Sequence, residues 1–234
     1  MEEKHFGRTA LKMKNVYIYC EGQTEEAFIN ELLSPYFANL GIWIWPIVCT
    51  TKRTKKEKFR GGVSDYFKIK NELAILCKEH KNELVTTMFD YYAMPSNTPQ
   101  IDCTASDLHE RMSIIENAIT TDVAQENCFF GLMLHEFESL LFSNPSAFSK
   151  VTDDATVGKI QEIRNEFPSP EHINNSVSTA PSKRLESLIS NYPKVRNGII
   201  VSKEIGIDCI LRECRHFAEW VTHIRESAES GHIM

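Results

Sequence analysis

From Val16 to about Leu141 the chain alternates between short apolar runs and longer amphipathic ones. VYIYC (16–20) predicts a buried strand. After it, Phe28, Leu32, Leu33, Tyr36, Phe37 and Leu40 recur at helical spacing, and Gly41 stands where such a helix would stop. IWIWPIVC (42–49) predicts a second strand; Pro46 within it marks an edge position or a bulge, because proline has no N–H to give to a ladder. Tyr66, Ile69, Leu73, Leu76 and Cys77 form one apolar face, which predicts a helix near 64–80. LVTTMFD (84–90) is rich in β-branched residues and predicts a third strand. Residues 91–103 hold Pro95 and Pro99 and read as a loop, followed by a helix near 104–121. CFFGLML (128–134) predicts a fourth strand, with a helix starting around Glu136.

Four strand-then-helix repeats predict an α/β fold, a Rossmann-like parallel sheet flanked by helices on both faces. Ligands of such sheets bind beyond the carboxyl ends of the strands. Glu21-Gly22, Thr50-Thr51, Asp90 and His135-Glu136 all fall at that edge. After Asn144 the texture changes: Pro145, Pro168, Pro170, Pro181 and Pro193 cut the chain into short pieces, and GIIV (198–201) is the one further strand-like run. The expected organisation is a flexible leader at 1–13, an α/β domain at 14–144 and a small helical C-terminal appendage at 145–234. The opening MEEKHFGRTALKMKN has no apolar core of the kind a secretory signal needs, and Met13 offers a second start.

Composition narrows the class. With 42% hydrophobic and 25% charged residues among 234, the chain has the mixture of an ordinary globular protein that can bury a sizeable core. No apolar run approaches the roughly 20 residues of a membrane helix, so no membrane partner is expected. Seven cysteines, scattered and without a CxxC pair, suit a reducing, cytoplasmic setting and not a disulfide framework. A net charge of -6 does not mark a bulk nucleic-acid binder, although a local basic patch can coexist with it.

Carboxylates are the main candidate chemistry. Glu21 precedes its helix and stands where a strand delivers a side chain to the ligand edge; Asp90 holds the equivalent position on the third strand. Two nearby carboxylates repel unless a proton or a cation lies between them. Mg²⁺ suits such a pair, since it takes hard oxygen ligands through one or two carboxylates plus water and phosphate. Glu25 and Glu26 open a helix, where the helix dipole alone accounts for acidic residues. His135, Glu136 and Glu138 follow the fourth strand; the second histidine of the HExxH zinc motif is missing, and Glu136 and Glu138 are spaced to point apart on a helix.

Basic residues form two groups. KRTKKEKFRGG carries Lys52, Arg53, Lys55, Lys56, Lys58 and Arg60, then Gly61 and Gly62, after the second strand. Such a loop is usually plain solvated surface, but at this edge it would offset the repulsion between phosphates and an acidic centre. No Walker A loop occurs. Lys183, Arg184, Lys194 and Arg196 form the second group, with APSKRLESLI reading as a helix start capped by Ser182. Cys209, Cys214 and His216 sketch a zinc site without a fourth ligand, and buried thiols account for the two cysteines better.

A glutamate-glycine after the first strand and an aspartate ending a later one resemble the Toprim fold of topoisomerases, bacterial primases and overcoming-lysogenization-defect (OLD) nucleases. More closely, EGQTEEAF, FDYYAMP, LHEFESLLF, APSKRL and NYPKV resemble a Toprim-like group, the domain of unknown function 4276, over nearly the whole chain beyond residue 13. By that resemblance Glu21 matches the Toprim glutamate and Asp90 the first aspartate of the acidic pair. The second aspartate is absent: Tyr92 stands in its place. The resemblance implies a Mg²⁺- or Mn²⁺-dependent nuclease acting in bacterial anti-phage defence. Its metal would sit on Glu21 and Asp90, with Glu136 or Glu138 completing the shell, His135 orienting a ligand or handling a proton, and Gly22, Glu25, Tyr92, Gly61 and Gly62 in support. Nucleic acid would lie along Lys52–Arg60 and on Lys183 and Arg184. An ABC-type or SMC-like ATPase is the implied partner, and the sequence leaves a homo-oligomer open. The alternative is a non-catalytic Toprim-like module that binds nucleic acid or regulates such an ATPase.

Overall fold

In the computed structural model, residues 14–49, 65–173 and 179–230 are described. The leader at 1–13, Thr50-Thr51 and the basic loop with Lys52, Arg53, Lys55, Lys56, Lys58, Arg60, Gly61 and Gly62 lie outside them.

Strands β1 (Lys14–Cys20), β2 (Ile42–Val48) and β3 (Leu84–Asp90) pair in parallel in the order β2-β1-β3. Two short strands, β4 (Cys128–Phe129) and β5 (Leu132–Met133), both pair with β3 on its far side. Pro46 therefore lies on an edge strand, where its missing N–H faces no partner. Strand alternation sorts the side chains into two cores. Val16, Ile18, Cys20, Ile42, Ile44, Leu84 and Met88 face one way; Tyr19, Val85 and Phe89 face the other.

The connections decide which helices cover which face. The β1–β2 link is α1 (Gln23–Phe28), a π-helical turn (Ile29–Leu33) and α2 (Ser34–Ala38), and it buries Phe28, Leu33 and Phe37 on the first face. Gly41, at φ 73, closes this link in a left-handed conformation that suits glycine. The chain then crosses to the second face with α3 (Tyr66–Glu79), followed by α4 (Leu108–Val123). Because the direction of winding reverses between β1 and β3, the loops leaving these two strands part company at their carboxyl ends, where sheets of this kind take their ligands.

The described residues after Asn144 share this core. α5 (Asp154–Asn165), α6 (Pro181–Leu188), α7 (Lys194–Ile205), α8 (Ile207–Glu213) and α9 (Arg215–Ser230) bury Ile160, Leu185, Val201, Ile210 and Phe217 in the cluster that covers the first sheet face. GIIV lies inside α7, so the expected strand is helix: the four apolar residues are one stretch of a longer amphipathic pattern.

Two further expectations change. The predicted fourth strand is split at Phe130-Gly131, because the buried Thr87 hydroxyl inserts there, donating to the Gly131 carbonyl and accepting the Gly131 N–H at 2.8 Å each. The predicted helix after it is a 3-10 segment, Phe137–Ser143, buried along its whole length and ended by Asn144 before Pro145. A residue before proline is driven to extended backbone, which stops the segment short.

Candidate functional site

The register sets the ends of β1 and β3 side by side, with Cys20 opposite Met88. Glu21 follows Cys20 by one residue and Asp90 follows Met88 by two, so both lie at the sheet edge where the winding reverses. They are electrostatically joined: Glu21 is pushed up to about 7 by burial and by Glu25, partly offset by the backbone N–H of Asp90. Asp90 is driven well above the ordinary carboxylate range by burial and then by Glu25, Glu21, Glu138 and Glu136. Its Oδ1 accepts the Phe137 N–H at 2.9 Å, which fastens the 3-10 segment to the strand end.

Three more carboxylates complete the set. Glu25 is buried in the first turn of α1, and burial raises its pKa as well. A Cβ on Gly22 would lie 3.4 Å from Glu25 Oε2, so the absent side chain leaves room for that carboxylate. Glu136 Oε2 accepts the buried Ser182 N–H at 3.0 Å, placing the start of α6 against the site. Ser182 therefore does not cap α6 with its hydroxyl as expected; Ala180 precedes the helix, and Ser182 lies inside it with an unpartnered Oγ. Glu138 is pushed up to about 7 by burial, against the pull of Lys194, whose Nζ lies 3.5 Å from Glu138 Oε1.

Lys194 also lies 3.6 Å from Glu186, which holds Lys183 at 2.6 Å. Burial lowers the Lys194 pKa less than Glu138, Glu136 and Glu186 raise it, so it stays charged. Behind it the buried Tyr192 hydroxyl has no hydrogen-bond partner, and burial plus Glu138 raises its pKa. Sequence reasoning placed Lys194 only in a surface basic group. The motif NYPKV was the available pointer, since its lysine opens a helix that must pack somewhere.

The other expected site residues have contacts of their own. His135 is buried at φ 64 and its pKa falls to about 4 through burial, His172 and Arg111. Its ring Nδ1 is buried without a hydrogen-bond partner. Lys183 is tied to Glu186, while Arg184 donates to the Thr179 carbonyl at 2.8 Å and lies over the Phe167 ring. Arg184 thus ties α6 to its surroundings, while Lys183 pairs within its own helix at the surface. Tyr92, in the 3-10 turn Tyr91–Ala93, is exposed and gives its backbone N–H to the His135 carbonyl.

The donor chemistry fits a hard divalent cation. All the convergent donors are carboxylate oxygens, several carry raised pKa values, and Glu21 Oε2 is buried without a hydrogen-bond partner. Such groups either bind protons or share a cation. Among the described residues no three of these carboxylates bring oxygens within 4.8 Å of one another. An open site fits that spacing better than a closed cage, as with ions that keep water and use one or two carboxylates.

The family model described as Domain of unknown function (DUF4276) matches residues 20–225. No curated protein and no solved structure matches the chain.

Proposed function

The chain belongs to the family Domain of unknown function (DUF4276), and from the site this member builds we propose that it hydrolyses phosphodiester bonds of nucleic acid with Mg²⁺ or Mn²⁺ held at Glu21 and Asp90. The observation that carries the reading is the meeting of the β1 and β3 ends, bearing Glu21 and Asp90, with the segment of Glu136 and Glu138 that the Phe137 N–H fastens to Asp90. So many buried acids near one another are hard to keep ionised without a cation. When bound, the ion would polarise the scissile phosphate and lower the pKa of a bound water.

The chain's own groups divide the remaining work. Glu21 and Asp90 supply the oxygens at the sheet edge. Glu136 is held by the start of α6, and Glu138 is balanced by Lys194. Lys194, half-exposed beside the acids, offers a positive charge to an incoming phosphate. The basic loop at 52–60 follows β2, whose end lies beside that of β1, so its place in the chain suits a nucleic-acid backbone. We place the chain with Toprim-like nucleases of the OLD type, as an effector of anti-phage defence beside an ABC-type or SMC-like ATPase. That placement rests on the glutamate-glycine and aspartate at the ends of β1 and β3.

Tyr92 favours a second reading. It stands where the Toprim pattern has a second acid, and it is 43% exposed. A module without that ligand would bind nucleic acid or an ATPase without cutting.

The test is cleavage of labelled single- and double-stranded DNA and RNA by the full chain with Mg²⁺ or Mn²⁺, compared with Glu21→Gln and Asp90→Asn. Activity that falls at least about a hundredfold in both variants supports a nuclease, since one essential electrostatic contact is worth that much. Activity equal in all three proteins overturns it. Metal binding and nucleic-acid binding without cleavage select the second reading.

A further inference from the structure

The edge of the sheet beyond β4 carries a different cluster. α4 covers one sheet face and α9 the other, and the two helices meet around this edge. His109 in the first turn of α4, His216 in the first turn of α9 and Glu219 one turn further along α9 each present a ligand atom, all within 4.8 Å of one another. His216 and Glu219 are three residues apart and share one helix face. We propose that His109, His216 and Glu219 form a second metal site, for Zn²⁺ or a cation of similar preference, which fastens the start of α4 to the start of α9.

Two imidazoles and one carboxylate are a donor set suited to zinc, unlike the all-oxygen centre at Glu21 and Asp90. His109 Nδ1 is buried and has no hydrogen-bond partner. His216 is buried, and its Nε2 lies 2.9 Å from Glu116 Oε1. A carboxylate on one ring nitrogen fixes the ring and makes the other a better ligand, the usual support for a metal-bound histidine. The same Glu116 oxygen accepts the Leu132 N–H at 2.7 Å, so the support is anchored in the chain segment beside β3. His172, whose ring centre is 5.7 Å from that of His109, stands next to the set. A pocket of about 260 Å³ lined by Glu116, His216, Glu219, Trp220 and His223 adjoins it and leaves room for water as a further ligand. The competing Arg215–Glu219 ion pair, at 2.8 Å, is exposed and easily given up.

A metal that binds the folded chain stabilises it by mass action. The experiment is Zn²⁺ titration by calorimetry and thermal melting on chelator-treated full-length protein, with His109→Ala, Glu219→Gln and Asp90→Asn. Visible absorption of the Co²⁺ form reports nitrogen ligation. About one Zn²⁺ per chain, weakened at least about tenfold by His109→Ala and by Glu219→Gln but unchanged in Asp90→Asn, supports the site. A Zn²⁺-dependent rise in melting temperature should accompany it and disappear in the first two variants. Three results overturn it: no Zn²⁺ binding to the wild type, binding unaffected by His109→Ala and Glu219→Gln, or binding lost only in Asp90→Asn. Glu219 is exposed, so its variant keeps the test decisive if His109→Ala fails to fold. None of these readouts depends on nuclease activity.

Discussion

Asp90 Oδ1 accepts the backbone N–H of Phe137 at 2.9 Å. That bond joins the end of the third strand to the segment that carries Glu136 and Glu138, residues 46 and more positions away in the chain. Asp90 is thus both the centre of the acidic cluster and the tie that assembles it.

Asp90→Asn keeps an oxygen for the Phe137 N–H while removing an acid whose ionised form burial and its acidic neighbours disfavour. The metal-free variant should be more stable than wild type at neutral pH, by about 1 kcal/mol, the ordinary size of a relieved electrostatic strain. Its melting temperature should also stop responding to Mn²⁺. Urea denaturation with and without metal measures both, and a clear loss of stability in the metal-free variant would contradict the charge-crowding account.

The pH dependence follows from the same crowding. Glu21 and Glu138 are raised from 4.5 to about 7 in the folded chain. The folded state therefore binds more protons than the unfolded state between those values. The stabilisation is fully present below the unfolded value and is lost as pH rises through about 7. Melting temperature of the metal-free protein should fall across that window, and saturating Mn²⁺ should flatten the profile. A metal-free profile that rises there would refute the assignment.

Lys194→Met removes the cation next to Glu138. With the lysine half-exposed, the cost should be about 1–2 kcal/mol in alkaline buffer, less than for a fully buried pair. The loss should shrink in mildly acidic buffer, where Glu138 holds a proton. Chemical denaturation at two pH values decides it; an equal loss at both would mean that packing and not charge is responsible.

Gly131→Ala tests the break in the fourth strand position. Its Cβ would lie 2.3 Å from Trp220 Nε1 and 2.9 Å from the Thr87 carbonyl oxygen. Trp220 is held by its own bond to Thr86 Oγ1 at 3.1 Å, so it cannot yield cheaply. A destabilisation of about 3 kcal/mol is expected, with a change in tryptophan fluorescence. A melting temperature equal to that of the wild type would show that the indole moves freely.

Glu171 is 2% exposed and accepts the backbone N–H groups of His216 and Phe217 at 3.0 and 2.9 Å. Glu171→Ala would leave two donors at the buried start of α9 without an acceptor and should cost about 2–3 kcal/mol. Hydrogen exchange at the start of α9 would locate the effect, and unchanged protection there would argue against it.

Local pattern was enough for much of this protein. Alternating and helical spacings marked β1, β2, β3, α3 and α4, because strand and helix periods are properties of neighbouring residues. The winding rule for such repeats then put Glu21 and Asp90 at one edge. Tertiary structure decided what spacing cannot carry. The Thr87 hydroxyl splits CFFGLML, α7 absorbs GIIV, and Ser182 turns its N–H to Glu136 in place of capping its own helix. Lys194 entered the acidic set through Glu138. His216 found His109 on another helix, not the nearby cysteines. Each of these depends on groups distant in sequence meeting in space, where burial and charge act through distance and not through order along the chain.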